Sequence, residues 1–368
     1  MNQEMIVDTH NLPLVIGVDL GGTQLRVAVL RGSTLLSRVG LLTGEDPTPE
    51  RIIPRIYEAI GQAINEAGTT LDQIAGIGIG APGPLDNRTG IVFRPPNLPG
   101  WDRVPLRFLF KEHFNLPIFV ENDANAAGLG EYMFGAGRGS KDMVYLTIST
   151  GIGGGVIVDG KIMEGTGGTA GELGHMTIDW HGERCTCGNI GCLEYIASGT
   201  AIARRANEAI RTEQGIELLN FLRTMLQHGS TVPDQSAPPA HAADAAVDEH
   251  DNMNEPSDDK ASQQIPRINT RTVALAAEAG VPMARAIITT AAEAIGVGLV
   301  NIIHIFNPEV IILGGGVTQM GSMLMEPAIR IVQERAMQVP RDAVRVVQAQ
   351  LGANVGLIGA GALIYHYT

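Results

Sequence analysis

The chain has 368 residues and a formal net charge of −13, from 39 acidic and 26 basic side chains. That length allows two or three domains at roughly 100–200 residues each, and 44% apolar residues indicate a folded globular protein. A sequence pI near 5.1 argues against broad nucleic-acid or anionic-membrane binding, since both need a cationic face.

The opening segment, MNQEMIVDTHNLP, has neither a basic cluster nor a long apolar run and does not read as a secretory signal. Residues 14–19 and 25–30 are rich in β-branched side chains and flank the turn LGGTQ, which predicts a hairpin. Residues 50–67 place Ile52, Ile53, Ile56, Ile60 and Ile64 on one helical face. Strands are expected over 74–80 and 116–121. A second hairpin is expected from 143–149, a glycine turn and 155–159. A short buried strand, 310–313, runs into Gly314-Gly315-Gly316 and a helix. The repeated strand, glycine turn and strand predict two similarly built α/β domains with a cleft between them. The longest apolar stretch, 294–306, contains Asn301 and His304 and is too short to cross a bilayer.

One stretch stands apart. Residues 228–266 hold eight acids, one lysine (Lys260), five prolines and no aromatic residue. Such a composition buries too little apolar surface to offset its ordering entropy, so it reads as a disordered acidic insertion in a helix–helix connection. A fold tolerates it because loop-closure cost grows only logarithmically with length. An acidic recruitment segment is the functional alternative. Seven net negative charges lie there, leaving −6 over the other 329 residues.

The 46 glycines make up about 12% of the chain, against a usual ~7%. Two familiar glycine patterns are decoys. Gly78-x-Gly80-x-x-Gly83 matches a dinucleotide fingerprint, but Pro82 and Pro84 leave no helix N-terminus for a pyrophosphate. Gly155-x₄-Gly160-Lys161 resembles a Walker loop, but Ile162 stands where Ser or Thr is needed. Better candidates are Asp19-Leu-Gly21-Gly22-Thr23 and Ser149-Thr150-Gly151-Ile-Gly153-Gly154-Gly155, where bare backbone amides can converge on phosphate oxygens. Asp19 is placed to orient a hydrated Mg²⁺ rather than to meet phosphate. Gly314 and Gly315 could pack a nucleoside. Ordinary tight hairpins are the simpler reading of each loop alone.

Asp123, in Glu121-Asn122-Asp123-Ala-Asn125, follows a strand and opens a helix. It is either an N-cap or a base that accepts a proton from a substrate hydroxyl. Glu172 and Glu194 are further carboxylates, with Asn97 and Asn122 as amides, suited to holding a polyhydroxy ligand. Cys185-x-Cys187-x₄-Cys192 supplies three soft ligands, and a tetrahedral structural zinc needs a fourth. His175 is the candidate and His181 the rival. Three clustered cysteines form no disulfide framework, so a reducing cytoplasm is expected.

These residues closely resemble the ROK family of sugar kinases. The matching segments are DLGGT (19–23), GAPGPLD (80–86), NLPGW (97–101), ENDANAA (121–127), STGIGGG (149–155), GELGH (171–175), CTCGNIGCLE (185–194) and LGGGV (313–317). The resemblance implies an actin-like (ribonuclease H-like) ATPase fold of two α/β domains. The first would span 14–123, completed by a helix over 354–368, and the second 124–353, with the zinc motif. It also implies ATP-dependent phosphorylation of a hexose at its terminal hydroxyl. Asp123 would be the base, and Asn97, Asn122, Glu172, His175 and Glu194 the sugar contacts. The loops at 19–23, 149–155 and 314–316 would hold ATP with Mg²⁺. His175 would use one ring nitrogen for zinc and the other for a sugar hydroxyl.

Within the family, TAGELGHMTI and GCLEYIASGTAIARRA are most similar to glucokinases. Mannose, fructose and N-acetylhexosamines remain open as substrates, as does polyphosphate as donor. The family's dimers and tetramers make a homo-oligomer the expected state. Its sugar-responsive repressors carry a DNA-binding domain ahead of the first strand; here 13 residues precede Leu14.

Overall fold

The computed structural model describes residues 11–44, 46–95, 97–227 and 267–368; the acidic stretch 228–266 lies outside the described residues. Strands β1 (Leu14–Leu20), β2 (Gln24–Arg31), β3 (Thr34–Leu35), β4 (Val39–Leu42) and β5 (Ile74–Ala81) build most of a first sheet. A small three-stranded sheet, β6 (Leu85–Asp86), β7 (Ile91–Val92) and β8 (Val104–Pro105), sits beside it, and β9 (Ile118–Asn122) closes the first sheet. The second sheet contains β10 (Met143–Ile148), β11 (Ile152–Val158), β12 (Lys161–Ile162), β13 (Val310–Gly314) and β14 (Arg345–Gln348).

The orders are β3-β2-β1-β5-β9 and β12-β11-β10-β13-β14, which is the same arrangement twice. In each sheet a central strand pairs antiparallel with its hairpin partner on one side and parallel with a later strand on the other. Near-continuous burial of β1, β5 and β13 follows, because helices cover both faces. The expected pair of similar α/β domains is present, with the actin-like ATPase architecture.

Helix α1 (Pro49–Glu66) buries Ile52, Ile53, Ile56, Ile60 and Ile64 against the first sheet, as their spacing requires. Helix α2 (Leu106–Phe114) leads to β9, and α3 (Asp123–Phe134) crosses to the second half. There, helices α4 (Leu193–Ala197), α5 (Gly199–Ala209), α6 (Ile216–Gln227), α7 (Thr270–Glu278) and α8 (Pro282–Phe306) precede β13. Helices α5 and α6 are separate because the chain turns between Ile210 and Gly215, with Thr212 N–H bonded to Ala209 O. Helix α8 is long and apolar enough to span a membrane, but two-thirds of its apolar window is buried inside this molecule. It is a core helix, packed against α9 (Ser322–Arg335). The short α10 (Gln338–Ala343) connects to β14.

The last helix, α11 (Val355–Tyr367), returns to the first sheet and packs Leu357, Ile358 and Ile364 with Val15, Ala28 and Leu30. Gly17 and Gly78 lie directly beneath it. A Cβ on either would collide with the backbone carbonyls of Leu357 or Ala360. Gly78, part of the decoy dinucleotide pattern, thus serves helix–sheet packing. Helices α3 and α11 cross where Gly359 meets Ala126, which joins the two halves at the cleft.

Candidate active site between the two sheets

The end of β9 and the start of α3 carry the central group. Glu121 is buried and its carboxylate accepts hydrogen bonds from Asn87 Nδ2 (2.9 Å), Asn122 N (2.8 Å) and Asn125 Nδ2 (3.0 Å). Burial raises its pKa, and those three donors oppose the rise. Asn122, not Asp123, is the N-cap: its Oδ1 accepts from Ala124 N (2.9 Å) and Asn125 N (3.3 Å). Capping uses the Asn122 oxygen and leaves its NH₂ as a donor. Asp123 is thereby relieved of capping as its main duty, though its Oδ1 accepts from Ala124 N at 2.8 Å. Asp123 keeps exposed surface, yet protein atoms crowd its carboxylate. That desolvation, followed by the nearby charges of Asp19 and Glu172, pushes it up to about 7.

Three glycine turns surround this point. In the β1–β2 turn, Gly21 N–H closes onto Gln24 O (2.9 Å), and Gly22 and exposed Thr23 form the tip. Gly22 packs on Asn97, where a Cβ would stand 2.5 Å from the Asn97 Cβ. The loop bearing Asn97 is anchored by buried Trp101, whose Nε1 donates to Pro47 O at 2.7 Å. Asp19 lies in β1 opposite Arg26, with Nη2 to Oδ2 at 2.5 Å. Burial raises the Asp19 pKa, while Arg26 and then Arg38 hold it back.

The β10–β11 turn is shorter than expected. Ser149, Thr150 and Gly151 form it, with Ser149 N–H bonded to Gly151 O at 2.8 Å. Gly153 and Gly154, assigned above to the nucleotide loop, lie within β11 instead. Their lack of side chains serves close packing: a Cβ on Gly153 would stand 2.9 Å from Ala124 Cβ, and one on Gly154 would stand 2.8 Å from Gly171 O. The start of α3 and the 171–175 segment therefore press onto this strand. In the third turn, Gly314 ends β13, Gly315 has φ of 91°, and Gly316 begins a 3-10 turn in open space.

His175 ends the short 3-10 turn that follows Glu172. Its Nδ1 faces Cys185 Sγ at 3.9 Å, and its Nε2 faces Glu172 Oε2 at 4.0 Å. Cys187 Sγ and Cys192 Sγ are 3.7 Å apart, and all four ligand atoms lie within 4.8 Å of one another. Zn–S bonds of about 2.3 Å at tetrahedral angles put sulfurs about 3.8 Å apart, so the set fits zinc. Burial and the neighbouring thiols push Cys192 up to about 12, a crowding that a divalent cation relieves. His175, rather than His181, completes the set.

Glu194 sits on α4 just after Cys192. Its Oε2 accepts from Ile152 N at 2.7 Å, at the end of the Thr150–Gly151 turn. The structure thus gathers Asp19, Asp123 and Glu172 within electrostatic reach, with the His175 ring held between Glu172 and the cysteines.

Arg26 and Asn87 carried no expectation from the sequence. Arg26 was findable, since a hairpin closing on Gly21–Gln24 sets residue 26 opposite residue 19. Asn87 gave no local signal, because its partner Glu121 is 34 positions away. A cavity of about 150 Å³ is lined by Glu121 with Arg107, Phe119, Glu164 and Tyr367; Asp123 is not among its lining residues.

The ROK family model matches residues 15–366. The chain belongs to the ROK family. It is 32% identical over 352 residues to a glucokinase of Halalkalibacterium halodurans, covering 95% of this chain and 94% of that one. It is also 30% identical to a xylose repressor of Caldicellulosiruptor bescii, covering 95% of this chain and 77% of the repressor. Among solved structures, a ROK family glucokinase from Streptomyces griseus in complex with glucose and AMPPNP superposes with a TM-score of 0.72 at 32% identity. That match covers 95% of this chain and 98% of the other. ROK relatives therefore include both kinases and repressors.

Proposed function

We propose that this ROK protein is an ATP-dependent hexose kinase that phosphorylates glucose at its 6-hydroxyl, with Asp123 as general base. The observation that carries this reading is Asp123 itself. It stands at the head of α3, where Asn122 supplies the N-cap, and its carboxyl, pushed up to about 7, is suited to accepting a hydroxyl proton. Phosphoryl transfer asks mainly for positioning, and the cleft between the two sheets offers it.

The turns at 21–23, 149–151 and 314–316 receive the phosphates and nucleoside. A divalent cation carried in with ATP supplies charge neutralisation at the phosphates, and Asp19 is the carboxylate assigned to its hydration shell. Asn97, the Asn122 NH₂, Glu172, His175 Nε2 and Glu194 hold the sugar hydroxyls. Zinc on His175, Cys185, Cys187 and Cys192 fixes the ring of His175, so that Nε2 keeps its direction beside Glu172.

The test is a coupled assay of ADP release over glucose, mannose, fructose, N-acetylmannosamine and N-acetylglucosamine, with ATP and with polyphosphate. Glucose with ATP is expected to give the highest kcat/KM. A higher value for another hexose reassigns the substrate. The repressor reading, which the similarity to the xylose repressor favours, predicts instead no ADP release and specific binding to an operator duplex at physiological salt.

A further inference from the structure

Glu194 faces two ways. One oxygen, Oε2, accepts from Ile152 N at 2.7 Å and lies over Gly151, where a Cβ would stand only 2.5 Å away. The glycine at 151 is what lets the carboxylate reach the turn. The other oxygen, Oε1, accepts from no group among the described residues, and the side chain is half-buried. A second tie holds the same turn from the next helix. Thr200, at the start of α5, donates from both N (3.2 Å) and Oγ1 (2.8 Å) to Thr150 O, and Gly199 N donates to Ser149 O (2.7 Å).

We propose that Glu194 is a positioning residue for the nucleotide as well as a sugar contact, its Oε2 pinning the 149–152 turn in a phosphate-ready shape while Oε1 remains for a sugar hydroxyl. This rests on the kinase reading above. The physical consequence is coupling between the two substrates. An isolated four-residue turn loses conformational freedom when it closes on phosphate, and a turn already held by a charged acceptor has less to lose. A sugar hydroxyl donating to Oε1 fixes the carboxylate in the rotamer that serves Ile152 N. Sugar binding therefore tightens nucleotide binding, and by reciprocity nucleotide tightens sugar. Thr200 adds a tie that no sugar touches.

Calorimetric titration of a non-hydrolysable ATP analogue into the whole, metal-replete chain, with no sugar present, tests this directly. Glu194→Ala is expected to weaken the analogue by about tenfold, the scale of one hydrogen bond to a charged group. Glu194→Gln keeps an acceptor for Ile152 N and should recover most of that loss. Thr200→Ala should weaken the analogue by about threefold while leaving sugar affinity unchanged. With glucose added, wild type should bind the analogue more tightly than without it, and Glu194→Ala should lose that gain.

Wild-type affinity of Glu194→Ala for the analogue in the absence of sugar would overturn the inference. So would a loss that Glu194→Gln fails to recover, since that marks a fold defect. If Glu194→Ala loses sugar affinity alone, the sugar contact stands and the pinning does not. If the wild-type chain itself binds no analogue, the kinase reading falls and takes this inference with it.

Discussion

In the first sheet, Asp19 of β1 pairs with Arg26 on one side and Gly80 on the other. The same place in the second sheet is Thr147 of β10, between Gly153 and Gly314. One strand order thus carries two chemistries. The first half ends its central strand with a mostly buried ion pair, and Arg26 Nη1 also donates to Ala353 O ahead of α11. The second half is bare, so Ala124 of α3 and the 171–175 segment can settle directly on β11. Duplicated topology supplies two turns facing one cleft. Divergent residues make one side a charge carrier and the other a packing surface that places Asp123.

The largest effect belongs to the group on the seam. Asp123→Ala should lower kcat by about 10²–10⁴ with normal folding, measured by steady-state kinetics and a melting curve. Near-full activity would remove the base from the mechanism.

On the bare side, Cys192→Ser should reduce zinc from about one ion per chain to none. It should raise the sugar KM by about tenfold or more, because His175 loses its metal-side anchor. Metal analysis together with kinetics reads both effects.

On the charged side, Arg26→Ala leaves the buried Asp19 carboxylate without its partner and cuts the link to Ala353. A stability loss of about 3 kcal/mol is expected from denaturant unfolding. The corresponding change in the second half, Gly153→Ala, adds a methyl against Ala124 Cβ and Thr147 Cγ2 and should cost about 1–2 kcal/mol. Equal and negligible costs would mean that the two hairpins are structurally interchangeable.

The smallest effect is a titration. In the ligand-free protein, carboxyl NMR should place Asp123 near pH 7, and Asp19→Asn should lower that value by removing a neighbouring negative charge. Because the folded-state value lies above the ordinary 3.8, the protonated form favours folding. This contribution is present below about pH 4 and is lost as pH rises through about 7. If Asp123 is the proposed base it works only when ionised, so kcat/KM should fall as pH drops below about 7.

Local patterns were reliable where the cause is local. The five isoleucines of α1 declared its buried face, and the two hairpins declared themselves through β-branched runs around glycine. The cysteine spacing and His175 converged as expected, since three of the four ligands lie within eight residues. Reading failed where one residue type serves two ends. Gly153 and Gly154 look like an extension of a phosphate turn, yet what they accommodate, Ala124 and Gly171, is distant in sequence. The sequence offers Asp123 as a cap or a base, and the structure gives the cap to Asn122, whose side chain turns back onto Ala124 N.

Composition, periodicity and motif spacing by themselves determined a glycine-rich α/β protein with two like halves, a ligand set for zinc and a candidate base after a strand. These depend on neighbours along the chain, whose geometry the backbone fixes. Only the tertiary structure decided that Glu121 meets Asn87 and that Glu194 reaches the turn at Ile152. Each of those contacts joins segments far apart in sequence. They arise when packing brings buried polar groups together and leaves them no water as an alternative partner.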